Sequence, residues 1–134
     1  MLVKSHKSGQ QLPPHHFFVL CKGNNAGKPL TAPCANCFVV SAATAEDKQL
    51  MFWLSFAIWK GRGFEVYLKG SVIPFITIKD YRQAVQSRMK ETYPVSVAQV
   101  VSAFQAVDER EKCLKEQLKL ISQMRLLLFH KFFG

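Results

Sequence analysis

Acidic residues are scarce in this chain, and residues 1–43 contain none. Of 134 residues, 18 are Lys or Arg and 9 are Asp or Glu, so the formal net charge at pH 7 is +9. The N-terminal third carries Lys4, Lys7, Lys22 and Lys28 with no carboxylate to balance them. Such a segment presents positive potential to phosphate, in nucleic acid or in a lipid head group. The alternative is that the excess charge only favours solubility.

A long apolar run is also lacking. The longest, residues 50–59, has ten residues and includes Ser55, whereas a membrane-spanning helix needs about 20. This segment therefore predicts a helix buried in a core. The basic start of the chain is not followed by an apolar run, so no secretory signal is visible. We expect a cytoplasmic protein whose cysteines are reduced.

The composition and length favour one globular domain, since 49% of the residues are hydrophobic. Short apolar segments typical of strands occur at residues 16–21, 36–42, 64–70 and 71–76. Pro74 removes a ladder donor, which limits the last segment to a sheet edge or a strand end. We expect an α+β fold over residues 15–95, with a small antiparallel sheet of about four strands and residues 1–14 as a loose arm.

Two helices are marked by their first residues. Thr44 precedes Asp47 by three positions, a variant of the capping box that predicts a buried helix over residues 45–60. Thr77 and Asp80 repeat the pattern and predict a second helix to about residue 91. The segment TYPV at 92–95 should end it, because the residue before proline avoids the helical region.

Glycine and proline are absent from residues 96–131, which predicts one long amphipathic helix. Seven of nine positions with coiled-coil spacing are apolar, and the two exceptions are Glu111 and Arg125. The apolar seam comprises Val100, Phe104, Val107, Leu114, Leu118, Ile121 and Leu128.

A seam of this length has to be buried. We therefore predict a homodimer, most simply a four-helix bundle from two copies, with an interface formed by Leu114, Leu118, Ile121, Met124 and Leu128. The alternative is a helix that breaks near residues 108–112 and folds back to complete the core of a monomer.

The loop KGNNAGK at residues 22–28 has some features of a phosphate-binding P-loop. That motif needs four residues between its glycines and a hydroxyl after the lysine. Here three residues separate Gly23 from Gly27, and Pro29 follows Lys28. The P-loop is excluded, and a weaker anion site remains, formed by Lys22, Asn24, Asn25 and Lys28. The alternative is a flexible connector.

The sequence CANC at residues 34–37 is half of a zinc knuckle. A structural zinc site needs four ligands, and Cys21 with His16 or His15 would complete the pair Cys34 and Cys37. No second C-x-x-C occurs in the chain, so reduced core thiols are favoured over a metal.

No arrangement of Ser, Cys, His and Asp in the sequence indicates catalytic residues, and none indicates a cofactor. The composition favours a non-enzymatic interaction module that contacts nucleic acid backbone through its basic N-terminal third. A small-ligand, metal or enzyme site in the 22–37 loop is the alternative, as is a purely structural oligomer.

The segments KGNNAGKP, NCFVV and GSVIPF, with the Phe- and Trp-rich helix between the last two, resemble conserved proteins of unknown function from Bacteroidetes. The resemblance covers about residues 16–80. It implies a bacterial cytoplasmic setting and supplies no activity and no site residues.

Overall fold

The computed structural model of the protein describes residues 1–91 and 96–134, the side chain of Glu91 excepted. The predicted break at 92–95 lies outside these residues. Two compact units are present, an N-terminal unit, Met1–Val101, and a C-terminal unit, Ser102–Gly134. The strands are β1 (Leu2–Ser5), β2 (His16–Leu20), β3 (Pro29–Leu30) and β4 (Cys37–Ser41), and the helices are α1 (Ala45–Lys60), α2 (Ile78–Glu91) and α3 (Val97–Phe133).

The four strands form one antiparallel sheet in the order β1-β4-β2-β3. Side chains alternate between its two faces because successive residues of a strand point in opposite directions. One face contributes to the main core, with Val3, Phe17, Val19, Phe38 and Val40. The other face buries a smaller cluster of Phe18, Cys37 and Val39 against Leu30. The predicted α+β fold with a four-stranded antiparallel sheet is confirmed.

The strands differ in part from those predicted. The segment expected to be a loose arm contains β1, which pairs with β4 and buries Val3 to 3% exposure. A strand this short with a single buried side chain cannot show a periodic pattern, so sequence alone did not reveal it.

The predicted strand at residues 64–70 is wrong. Glu65–Tyr67 form a 3-10 turn, and Val66 is exposed. The 3-10 turn follows directly on the end of α1. There the N–H of Gly63 donates to the carbonyl of Ile58 at 2.7 Å and reverses the chain. Residues 71–76 also form no strand, and Phe75 makes only isolated bridges with Lys22 and Lys69.

Both predicted helix starts are confirmed. The Oγ1 of Thr44 accepts a hydrogen bond from the Asp47 N–H at 3.1 Å, and the Oγ1 of Thr77 accepts one from the Asp80 N–H at 3.1 Å. These hydroxyls satisfy N–H groups that have no partner inside the helix. Helix α1 ends where the N–H of Gly61 donates to the carbonyl of Ala57.

Helix α3 is unbroken across residues 108–112, so the alternative of a break there is wrong. Within the C-terminal unit two ion pairs link successive turns, Lys112 to Asp108 at 3.1 Å and Lys115 to Glu111 at 2.7 Å. Pairs at this spacing stabilise the helical conformation modestly. Across the two described ranges, no helix has the length and apolar character needed to cross a membrane.

Candidate functional site

The loop at residues 22–28 is a tight, hydrogen-bonded turn. Four of its backbone N–H groups, those of Gly23, Ala26, Gly27 and Lys28, donate to carbonyls of the protein at 2.7–3.1 Å. These four groups are therefore not directed at a ligand. Of the residues in the predicted anion site, Lys28 is among these donors, so its N–H serves the turn.

The loop is also anchored to the core, unlike a flexible connector. Ala26 is buried, and Gly27 has a φ of 100°, a conformation that glycine tolerates and other residues avoid. A Cβ at Gly27 would overlap the ring of Phe64. This close approach holds the Asn24–Asn25 segment of the loop beside the residues that follow α1.

A cleft of about 330 Å³ lies between this loop and the end of α1. Its volume is at the lower end of the range found for small-molecule sites. Asn24 and Asn25 line it on the loop side, and Trp59, Lys60 and Arg62 line it on the helix side. Glu65 also lines it, so two cations face one carboxylate there.

Two ammonium groups lie over the indole of Trp59. The Nζ of Lys28 is 4.9 Å from the ring centroid, and the Nζ of Lys60 is 5.1 Å from it. Contacts of this length are attractive because the ring face is electron-rich. Among the described residues, no carboxylate forms an ion pair with either lysine. The cleft therefore has net positive charge beside an aromatic ring.

Arg62 adds a third cation at the rim. Its Nε lies 3.8 Å from the Oε1 of Glu65, and both side chains are well exposed, so this ion pair is weak. Arg62 has a φ of 59°, a left-handed conformation that costs a residue with a Cβ about 1 kcal/mol or more. The turn directs this residue to the cleft despite that cost.

The structure brings together only part of the predicted anion site. Asn24, Asn25 and Lys28 lie at or beside the cleft, whereas Lys22 belongs to a bridge with Phe75. Trp59, Lys60 and Arg62 were missed, because β4 and most of α1 separate them from the loop along the chain. The sequence offered a weak signal for them, a Trp-Lys pair followed by an arginine between two glycines.

The predicted metal ligands are not assembled into a metal site. The Sγ of Cys37 donates to the carbonyl of Cys34 at 3.2 Å, and burial raises the pKa of the Cys37 thiol. Burial also raises the pKa of the Cys21 thiol. The Nδ1 of His16 lies 2.5 Å from the carbonyl of Pro13. Within residues 1–91 and 96–134, no three His, Cys, Asp or Glu side chains are placed to hold a metal ion.

The predicted oligomer interface is an exposed apolar surface. The five interface residues, Leu114, Leu118, Ile121, Met124 and Leu128, are 44–65% exposed. Further exposed large apolar side chains on the same part of α3 are Leu120, Leu126, Leu127, Phe129, Phe132 and Phe133. Exposed apolar patches of this size commonly mark interaction sites in proteins.

The fold defines an α+β protein with a four-stranded antiparallel sheet and a long third helix. The chain belongs to DUF6943, a family of unknown function whose match covers residues 3–131. The predicted resemblance to an uncharacterised family is thereby confirmed, while its origin in Bacteroidetes stays a prediction. No curated protein and no solved structure matches the chain.

Proposed function

We propose that this protein is a non-enzymatic interaction module that forms a homodimer through α3. The observation that carries the proposal is the row of exposed apolar side chains between Leu114 and Phe133 on an unbroken helix. An isolated helix gains most of its stability by burying one face. A second copy supplies the same apolar face at the same concentration and so satisfies this requirement most simply.

The free energy gained by burying these apolar side chains is sufficient for a stable dimer. Fully burying one Leu, Ile or Met side chain contributes about 1.5–3 kcal/mol. Two copies bring ten side chains of the predicted interface together, and even partial burial of these offsets the roughly 4–15 kcal/mol that association costs.

The test replaces one interface residue by a charge. Leu118→Asp should convert the dimer to a monomer in sedimentation equilibrium, because an unpaired carboxylate in an apolar interface costs several kcal/mol. Val72→Asp is the matched control, since Val72 is a still more exposed aliphatic residue in the N-terminal unit. This control should remain a dimer. If both variants, or neither, lose the dimer, the proposed interface is wrong.

A second candidate function is contact with nucleic acid backbone by the N-terminal unit, in a cytoplasmic setting. The cleft supports this function, because Lys28 and Lys60 lie over the Trp59 ring and Arg62 lines the same cleft. Glu65 is the carboxylate that pairs with Arg62, and that ion pair is weak. Residues 1–43 add three further lysines and no acid. Lysine and arginine bind phosphates and release counterions, which makes such binding strongly dependent on salt.

Fluorescence anisotropy with a random duplex and a random single strand, at 50 and 200 mM salt, tests this function. We expect binding at 50 mM that weakens at least about tenfold at 200 mM. Lys60→Ala with Arg62→Ala should lower the salt slope by about 2, one for each lost cation. Lys48→Ala is the control, because it removes one lysine of α1 away from the cleft. Absence of binding at 50 mM would exclude nucleic acid as a partner.

A further inference from the structure

Two charged residues interrupt the apolar seam of α3, and their positions indicate how the two copies pair. We infer that the α3 helices of a dimer run antiparallel and cross near Leu118, so that Glu111 of each copy meets Arg125 of the other. The inference rests on the proposed self-association and adds the orientation and the register of the partner, a second copy of this chain.

The two charged residues are spaced symmetrically about Leu118. Glu111 lies one heptad before Leu118, and Arg125 lies one heptad after it. A heptad is nearly two turns, so all three lie on one face of the helix. Each charge is about 10.5 Å along the axis from Leu118. When a second helix is reversed about Leu118, Glu111 and Arg125 of opposite copies come to the same height.

Side-chain packing can shift the two helices along each other by part of a turn. One turn measures about 5.4 Å, a distance that the long side chains of Glu and Arg span. Glu111 already binds Lys115 of its own helix at 2.7 Å, but a carboxylate has two oxygens and accepts several donors. The intermolecular pair therefore adds to the ion pair within the helix.

A parallel dimer in register gives the opposite result. Glu111 would face Glu111 of the partner, and Arg125 would face Arg125 of the partner, both within an apolar seam. Like charges facing each other across an interface are destabilising, more so when water is excluded. A parallel pair staggered by two heptads would match Glu111 with Arg125 only by leaving much of each apolar face uncovered. Of these arrangements, the antiparallel one alone pairs both charges and keeps full overlap.

Apolar residues on the two sides of Leu118 support the same centre. Phe104 then lies near Phe132 of the second copy, and Val107 lies near Leu128, so exposed apolar residues at the two ends cover one another.

Charge reversal on the full chain tests the inference. Glu111→Arg and Arg125→Glu should each raise the dimer dissociation constant at least about tenfold, because each creates two like-charge contacts. The double variant should return it to within about threefold of the unaltered protein, because both pairs reform with reversed sign. Glu109→Arg makes the same charge change outside the seam and should have little effect. In a parallel dimer, the double variant would keep its like-charge contacts and the single Glu111→Arg change would leave the dissociation constant unaltered.

A distance measurement provides a second readout. A spin label at Phe133→Cys is used with Cys21, Cys34 and Cys113 replaced by alanine and the buried Cys37 retained. Antiparallel pairing places the two labels about 45 Å apart along the axis, since Phe133 lies about 22 Å beyond Leu118 in each copy. A dimer with labels within about 20 Å would overturn the antiparallel arrangement but keep the proposed self-association. A monomer would overturn both.

Discussion

The hydroxyl oxygens of Ser55 and Tyr81 lie 2.5 Å apart and connect α1 to α2 inside the main core. Both side chains are completely buried. Burial raises the pKa of Tyr81 far above its usual range, so the phenol stays neutral and each hydroxyl serves as the other's hydrogen-bond partner. A polar pair inside an apolar core is tolerated when its members satisfy each other.

Replacing Tyr81 by Phe should lower the free energy of unfolding by about 1–2 kcal/mol, because the hydroxyl of Ser55 loses its partner. The double variant with Ser55→Ala should be less destabilised than the sum of the two single changes. Urea denaturation measures both, with Tyr67→Phe at a partly buried position as the control. Strict additivity would contradict a direct hydrogen bond between the two hydroxyls.

Gly27→Ala should be markedly more destabilising than Gly23→Ala. Both glycines have positive φ values, 100° and 96°, so both changes carry similar backbone strain, about 1–2 kcal/mol. Only at Gly27 does the added methyl meet the Phe64 ring, whereas the space around Gly23 is open. Overpacking adds about 1–3 kcal/mol at Gly27. Equal urea midpoints for the two variants would mean that the loop does not pack on Phe64.

Asp80 should make stability depend on pH in the acid range. A hydrogen bond from Thr77 and then the Lys69 ammonium, 3.2 Å away, lower the pKa of this carboxyl. A lowered pKa in the folded state means that the stabilisation is complete above the unfolded pKa of about 3.9 and is lost as pH falls through the folded value. Asp80→Asn should therefore be less stable than the unaltered protein at pH 6.

The difference between the two proteins should shrink steadily below about pH 4, where the carboxyl of Asp80 becomes protonated. Urea midpoints at several pH values between 2 and 6 give this difference directly. A gap that stays constant down to pH 2 would show that the Asp80 charge does not stabilise the fold.

The two cysteines of the C-x-x-C pair should react at very different rates. Cys34 is exposed and Cys37 is buried, and burial raises the pKa of the Cys37 thiol. Because the thiolate is the reactive form, iodoacetamide at pH 8 should modify Cys34 long before Cys37, as mapped by peptide mass spectrometry. In urea the two should react alike. Equally fast modification in the folded protein would contradict the burial of Cys37.

Features set by neighbouring residues could be predicted from the sequence. Both helix starts depend on a threonine and the N–H three residues later, and the long helix follows from the absence of glycine and proline in residues 96–131. By contrast, β1 depends on pairing with β4, which is distant along the chain. The apolar alternation in residues 64–68 resembled a strand, but the reversal at Gly63 produced a turn.

Some residues of the candidate site could likewise be predicted from the local sequence, whereas others depend on tertiary packing. Asn24, Asn25 and Lys28 lie in a short segment rich in glycine, asparagine and lysine, so they could be recognised as a candidate site from the sequence. Trp59 and Lys60 reach the cleft because α1 packs on the sheet and the loop packs on Phe64. Neither contact leaves a periodic pattern in the sequence. The aromatic residues of α1 favoured a core helix, and that assignment did not reveal which ring borders a cleft.

Sedimentation equilibrium of the unaltered protein at tens of micromolar tests the proposed homodimer. We expect a species of twice the 15.2 kDa chain mass, held together by the apolar residues between Leu114 and Phe133. The measurement should be made over a range of concentrations and at low and high salt, because an apolar interface persists when surface charges are screened. A single species of 15.2 kDa under all these conditions would show that α3 does not hold two copies together.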